Sequence, residues 1–339
     1  MPRDHEMPGR DQTTSASLEA SDCASPPGDQ TPEEGQRVCA ALAAAEWLPT
    51  SGAPTSDLTP TIAEIRAWHR RRVFAMDQRK RMNLALGSYL RTQLGWRRDL
   101  PAEERKRIND QAAALVKIGE AEARGKAAGV DEPAYIEHRD IISANIVSRS
   151  PWDSIEALAT EAMERLARSL SVWTAWGEAI RGFGARSLGV IVAEAGDLAV
   201  YPKKGHLWKR LGLAPIEKGG VIRAGSTWRK GGLSDADWIA AGYSMRRRSF
   251  IFVIGDVLVK TAGPYREIYL HRKEFEKAKA LAAGLKIVPS AKVPKGRGDE
   301  YMTDGHIHRR AQRYMEKALV RDLWVAWRRA IAPSTAEAA

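Results

Sequence analysis

The sequence predicts a mainly α-helical protein: a disordered N-terminal tail, a helical hairpin or coiled-coil arm, and a helix-hairpin-helix-like helical domain carrying a short basic hairpin or loop. Three observations predict it. Apolar residues recur at helical spacing from Ile62 to Leu94 and again from His306 to Ala330. β-Propensity after the glycine-rich centre is confined to Val221-Ile222. The first 57 residues are dominated by Ser, Thr, Pro, Gly, Asp and Glu, and such a segment cannot bury enough apolar surface to offset its ordering entropy. The expected organisation is a tail at 1–57, an arm at 58–172 and a second domain at 173–332.

Within the tail, an Ala-rich stretch from Glu34 to Glu46 predicts one short helix. Thr59 or Thr61 can cap the next element. Its apolar positions include Ile62, Ile65, Val73, Met76, Leu86, Leu90 and Leu94, and its polar face carries Arg66, Arg70, Arg71, Arg72, Arg79, Lys80 and Arg81. A second helix starts at Pro101, since proline suits the first helical position, and runs to the break at Gly125. Ser150-Pro151-Trp152-Asp153 reads as another helix start, with serine as cap, proline first and an acid in the first turn. That helix leads through Leu158 and Leu166 to Trp173, Trp176 and a glycine turn.

The turn is Gly182-Phe183-Gly184, followed by an amphipathic stretch to Ile191. Two glycines permit a tight reversal between helices, and the second helix would begin with backbone N–H groups suited to a phosphate oxygen. Arg181 and Arg186 flank it and add charge-assisted contacts. The plain alternative is an ordinary tight turn. A dinucleotide loop fits less well, because its third glycine would fall at Ser187 and a helix, not a strand, precedes it.

Lys203 and Lys204 then precede a helix from Gly205 to Leu211. A basic, glycine-rich stretch follows, with Arg223, Arg229 and Lys230 beside Trp228, a pairing that can track a nucleic-acid backbone. Arg246, Arg247 and Arg248 open the next helix. Consecutive arginines spread around a helix, so at most two can face one strand. Pro264 starts a helix bearing Arg266, Arg272 and Lys273, and residues 291–298 read as a mobile basic loop. The last helix turns Arg309, Arg310, Arg313, Lys317 and Arg321 outward. His306 and His308 lie two apart on that helix and point to different faces, so they read as a polar helix start rather than metal ligands.

The chain holds 53 Lys and Arg against 42 acids, a formal net charge of +11. That balance favours an acidic partner: nucleic acid is the usual one, and a membrane surface the weaker option. No apolar run of about 18 residues predicts a transmembrane helix. The polar, acidic N-terminus lacks the apolar core of a signal peptide. The only cysteines, Cys23 and Cys39, fall in the tail and support neither a disulfide framework nor a zinc site. A cytoplasmic protein with no evident cofactor is the expectation.

Four motifs stand in series: Gly182-Phe183-Gly184, Ala193-Glu194-Ala195-Gly196-Asp197, Tyr201-Pro202, and Leu211-Gly212-Leu213-Ala214-Pro215. Their order and spacing resemble the C-terminal domain of insertion-sequence-110/116/902-type transposases, over roughly residues 173 to 330. The resemblance implies a helix-hairpin-helix-like DNA-binding part, with the helices before residue 170 in the place of an arm that mediates subunit contact. That family also carries a RuvC-like domain in which four acids bind metal. Before Thr59 no alternating strand ends in an acid, and the tail is too short for a ribonuclease-H-like sheet. The family's serine nucleophile would fall at Gly219-Gly220, and the nearest hydroxyls are Ser226 and Thr227.

The expectation is therefore a transposase-related DNA-binding protein, acting in transposition or recombination without a complete catalytic site of its own. Its partners would be duplex or branched DNA, further copies of itself through the arm, and a RuvC-like partner chain. One alternative is an active recombinase in which Ser226 attacks a phosphodiester. Its acids would come from Glu194, Asp197 or another chain, and Mg2+ would be needed only in that case. The other is an RNA-binding or structural adaptor, because phosphates of RNA and DNA look alike to arginine.

Overall fold

The computed structural model describes residues 58–331, apart from 226, 295, 296 and 299 and the side chains of 229 and 230. The expected tail with its short helix lies outside the described residues, as does Ser226. The described chain is mainly helical with two small strand pairs. It divides into two compact units, one spanning Ala63–Leu166 and one made of the chain up to Ile62 together with Ala167 onward.

The first unit is built from three helices: α1 (Thr59–Gln93), α2 (Ala102–Glu122) and α3 (Pro133–Arg168). Pro101 is the N-cap residue of α2, one position before the predicted start. Leu86 and Leu90 of α1, Ala112 and Leu115 of α2, and Tyr135 and Ile142 of α3 form one buried cluster. The expected hairpin of two helices thus has a third helix in its core. Gly119 makes this close packing feasible, because a side chain there would overlap Ile142.

Ser150-Pro151 is not a helix start: Pro151 lies inside α3. A mid-helix proline leaves the carbonyl four residues earlier without its donor. Here that residue is Val147, which is 71% exposed and so lies on a face of α3 open to water. The polar face of α1 is also less solvated than its charge suggests. Arg72 donates to Thr160 Oγ1 at 3.0 Å, and Arg79 pairs with Asp153 and Glu156 at 3.0 and 2.9 Å. Arg149 of α3 reaches both Asn83 of α1 and Glu120 of α2.

The second unit opens with a π-helical turn, Trp173–Gly177, not a continuous α-helix. Next come α4 (Ala185–Ala195), α5 (Lys204–Arg210), and a hairpin of β1 (Pro215–Lys218) and β2 (Val221–Ala224). The chain continues through α6 (Asp235–Ala241), α7 (Met245–Lys260) and α8 (Pro264–Ala282). A parallel pair of short strands, β3 (Lys286–Val288) and β4 (Tyr301–Thr303), flanks the segment read as a basic loop. The unit closes with α9 (Asp304–Ile331).

α9 is the central mast. Its Ile307, Ala311, Met315, Leu319, Leu323 and Trp327 are buried, and α5, α7 and α8 pack around it. Indole N–H groups fasten the early motifs to it. Trp327 Nε1 donates to Asp197 Oδ1 at 2.9 Å, Trp324 Nε1 to the Tyr201 carbonyl at 3.1 Å, and Trp208 Nε1 to the Lys317 carbonyl at 3.1 Å.

The hairpin is set by its glycines. Lys218 pairs with Val221, leaving Gly219-Gly220 as a two-residue loop with φ of 58° and 75°. Positive φ at both central residues matches the turn type whose twist suits a tight hairpin, and glycine adopts it without steric cost. Lys218 Nζ meets Asp237 Oδ2 at 2.5 Å, tying the hairpin to the Ser234/Asp237 capping box of α6. Lys218 first, and then Ser234, hold the Asp237 carboxyl down at about 2.

Candidate nucleic-acid interface

The hairpin, α7, α8 and α9 enclose a cleft of about 180 Å3. Helical periodicity builds its basic wall: His306, Arg309, Arg310, Arg313 and Lys317 recur on one side of α9. The hairpin contributes Arg223, α7 contributes Arg248 and α8 contributes Arg272. Against seven Arg and Lys side chains the wall carries one carboxylate, Glu276.

Tyr243 holds the hairpin to this wall. Gly212, just before β1, has φ of 73°, and a Cβ there would sit 3.0 Å from Arg248 Cβ and 3.3 Å from the Tyr243 ring. Gly225, just after β2, lies so close to the same ring that any side chain would overlap it. The Leu211-to-Pro215 motif therefore shapes one rim of the cleft. The buried Leu211 and Leu213 anchor it in the core.

Two buried acids order the basic groups. Glu276, 3% exposed, pairs with Arg272 at 2.5 Å and with Arg310 at 3.4 Å. Glu316 has no exposure and pairs with Arg248 at 2.9 Å. Gly255 on α7 leaves room for Glu316, since a Cβ there would sit 2.6 Å from Glu316 Oε1. Burial raises the Glu316 carboxyl to about 7, against the pull of Arg248. These two acids fix three arginines in place while leaving the cleft with a positive excess. Ion-paired arginines still have donors to offer, because each guanidinium carries five N–H bonds.

The sequence-predicted residues divide into groups. Arg223, Arg248, Arg310 and Arg313 come together in the cleft. Lys204 Nζ sits 5.8 Å from the Trp208 ring centroid, and the cleft residue Lys317 lies 5.5 Å from the same ring. Lys203 is exposed at the start of α5. Arg246 and Arg247 are drawn to the buried Glu194, at 3.0 and 3.2 Å. Arg229 and Lys230 occupy a 3-10 turn, but their side chains lie outside the described residues. Ser226 does too, although its neighbours Gly225 and Thr227 line the cleft.

The glycine turn is not among the cleft-lining residues. Its two glycines differ in role. Gly182 has φ of 88°, and a Cβ there would come within 3.0 Å of Thr261. Gly184 is extended, caps α4 and has open space around its Cα. Phe183 between them is buried edge-on to Trp176, with ring centroids 5.3 Å apart. Arg181 and Arg186 are exposed.

No protein-family model matches the chain, and no curated protein or solved structure matches it.

Arg272, Arg309, Lys317, Glu276 and His306 were not among the predicted site residues. For α9 a signal was available: 306, 309, 310, 313 and 317 share one helical face. For Arg272 none was, because its place depends on how α8 packs against α9.

The acids that catalysis would draw on are engaged elsewhere. Glu194 is 6% exposed and held by Arg246 and Arg247, and its own carbonyl accepts from Arg210 Nε at 3.1 Å. Asp197 accepts from the Ala199 N–H at 2.8 Å and from Trp327 Nε1. Gly196, with φ 88° and ψ −150°, closes α4 in a conformation open essentially to glycine alone. The Gly196-Asp197 step closes α4 and accepts the Trp327 indole N–H. Among the described residues no three His, Cys, Asp or Glu side chains cluster as metal ligands, and no helix is long and apolar enough to cross a membrane.

Proposed function

We propose that this chain is a DNA-binding protein related to insertion-sequence transposases, and that it holds nucleic-acid phosphates in the cationic cleft. One observation carries the reading: seven Arg and Lys side chains converge there around a single lining carboxylate. Phosphate contacts of this kind position a strand without reading bases, and they supply most non-specific affinity. The net charge of +11 supports the same partner. The four motifs from Gly182 to Pro215 support the transposase relationship. The structural engagement of Glu194 and Asp197 favours binding over catalysis by those acids.

The test is a fluorescence-anisotropy titration of labelled DNA with the full chain and with an Arg309→Ala/Arg313→Ala variant. The variant should bind more weakly at every DNA sequence tried. Equal affinity of the two proteins would remove the cleft from the account.

The arm supports a further part of the reading, association with a second copy. Leu84, Val147 and Leu158 stand exposed on its helices. Sedimentation of the full chain should show a species larger than the monomer, and a monomer at all concentrations would contradict it.

A further inference from the structure

The cleft offers an aromatic surface that phosphate binding alone does not use. Tyr314 of α9 lines it beside Arg310 and Arg313, with 42% of its surface exposed. The Arg272 guanidinium lies 4.7 Å from the Tyr314 ring centroid and 4.6 Å from that of Phe275. Arg272 is in turn fixed by the buried Glu276. Tyr314 is therefore held by a cation that cannot easily swing away, a ring preorganised beside anion-binding groups. Arg223, which lines the cleft from the hairpin, lies 5.6 Å from the ring centroid of Trp228, a residue that does not itself line it.

An aromatic ring set beside cations suits a strand whose bases are available for stacking. In a duplex those faces are already covered by neighbouring base pairs. Resting on the nucleic-acid reading above, we propose that the cleft takes an unpaired strand, with phosphates on Arg310 and Arg313 and a base stacked against Tyr314.

The experiment compares a short labelled single strand with the same sequence as a duplex, at one salt concentration, by anisotropy with the full chain. The single strand should bind at least about tenfold tighter. Tyr314→Ala should weaken single-strand binding by about tenfold and leave duplex affinity nearly unchanged, while Tyr314→Phe, which keeps the stacking face, should retain the preference. Thermal unfolding of both variants should stay close to that of the parent, since Tyr314 is an exposed side chain. Duplex binding as tight as single-strand binding overturns this inference and leaves the nucleic-acid reading standing. A Tyr314→Ala variant that weakens both ligands equally does the same. Failure of both oligonucleotides to bind overturns both.

Discussion

Arg248 Nη2 lies 2.9 Å from Oε2 of Glu316, a carboxylate with no solvent exposure, and Gln312 Nε2 donates to the other oxygen at 3.0 Å. Burial raises the Glu316 carboxyl from an ordinary 4.5 to about 7. An acid whose pKa rises on folding adds stability that is fully present below its unfolded value. That contribution is lost as pH climbs through the folded value. The wild-type chain should therefore lose stability between about pH 5 and about pH 8 relative to Glu316→Gln, by roughly 1–3 kcal/mol. Denaturant unfolding of both proteins across that window checks it, and parallel pH profiles would contradict it.

The two turn glycines should respond differently. Gly182→Ala forces a side chain into positive φ and against Thr261, so it should cost about 1–3 kcal/mol. Gly184→Ala, in extended backbone with open space, should change stability by less than about 1 kcal/mol. Thermal unfolding of the two variants distinguishes them.

Asp197 offers a test of structure against catalysis. Asp197→Ala leaves the buried Trp327 N–H and the Ala199 N–H without their acceptor, at a cost of about 1–3 kcal/mol. Asp197→Asn retains an acceptor oxygen and should recover much of that stability. A divalent-metal-dependent DNA nicking activity lost in Asp197→Asn, with stability unchanged, would overturn the structural assignment.

The hairpin loop should accept only residues that tolerate positive φ. Gly219→Asn keeps the favoured Asn-Gly pair and should be nearly neutral, whereas Gly220→Val should destabilise by about 1–2 kcal/mol or more. Because the hairpin forms one cleft rim, Gly220→Val should also weaken DNA binding in the anisotropy assay.

Local signals in the sequence anticipated much of this architecture. Apolar spacing located α1 and α9, Pro101 and Gly125 bounded α2, and the β-propensity at Val221-Ile222 pointed to a short hairpin or loop. Arg223, Arg248, Arg310 and Arg313 were already candidates. What stayed hidden depends on partners distant in sequence. Nothing around Arg246–Arg248 shows that Glu194 and Glu316 wait for them more than fifty residues away on either side. Pro151 looks like a helix start because its tolerance inside α3 depends on which face meets water. The β3–β4 pair is three residues per strand, too short for alternation to register. Gly182 and Gly184 look equivalent in sequence, and only the backbone separates them.

If phosphates are held in the cleft, affinity must depend steeply on salt. Binding of the full chain to one DNA oligonucleotide should weaken linearly in log affinity against log salt. The slope should become shallower by roughly 0.7–0.9 for each phosphate contact removed. Arg309→Ala/Arg313→Ala should therefore flatten it by roughly 1.4–1.8, while Arg181→Ala, on the glycine turn outside the cleft, should leave it unchanged. A shallow slope in the wild-type chain, or a loss of slope in Arg181→Ala but not in the cleft variant, would contradict the account.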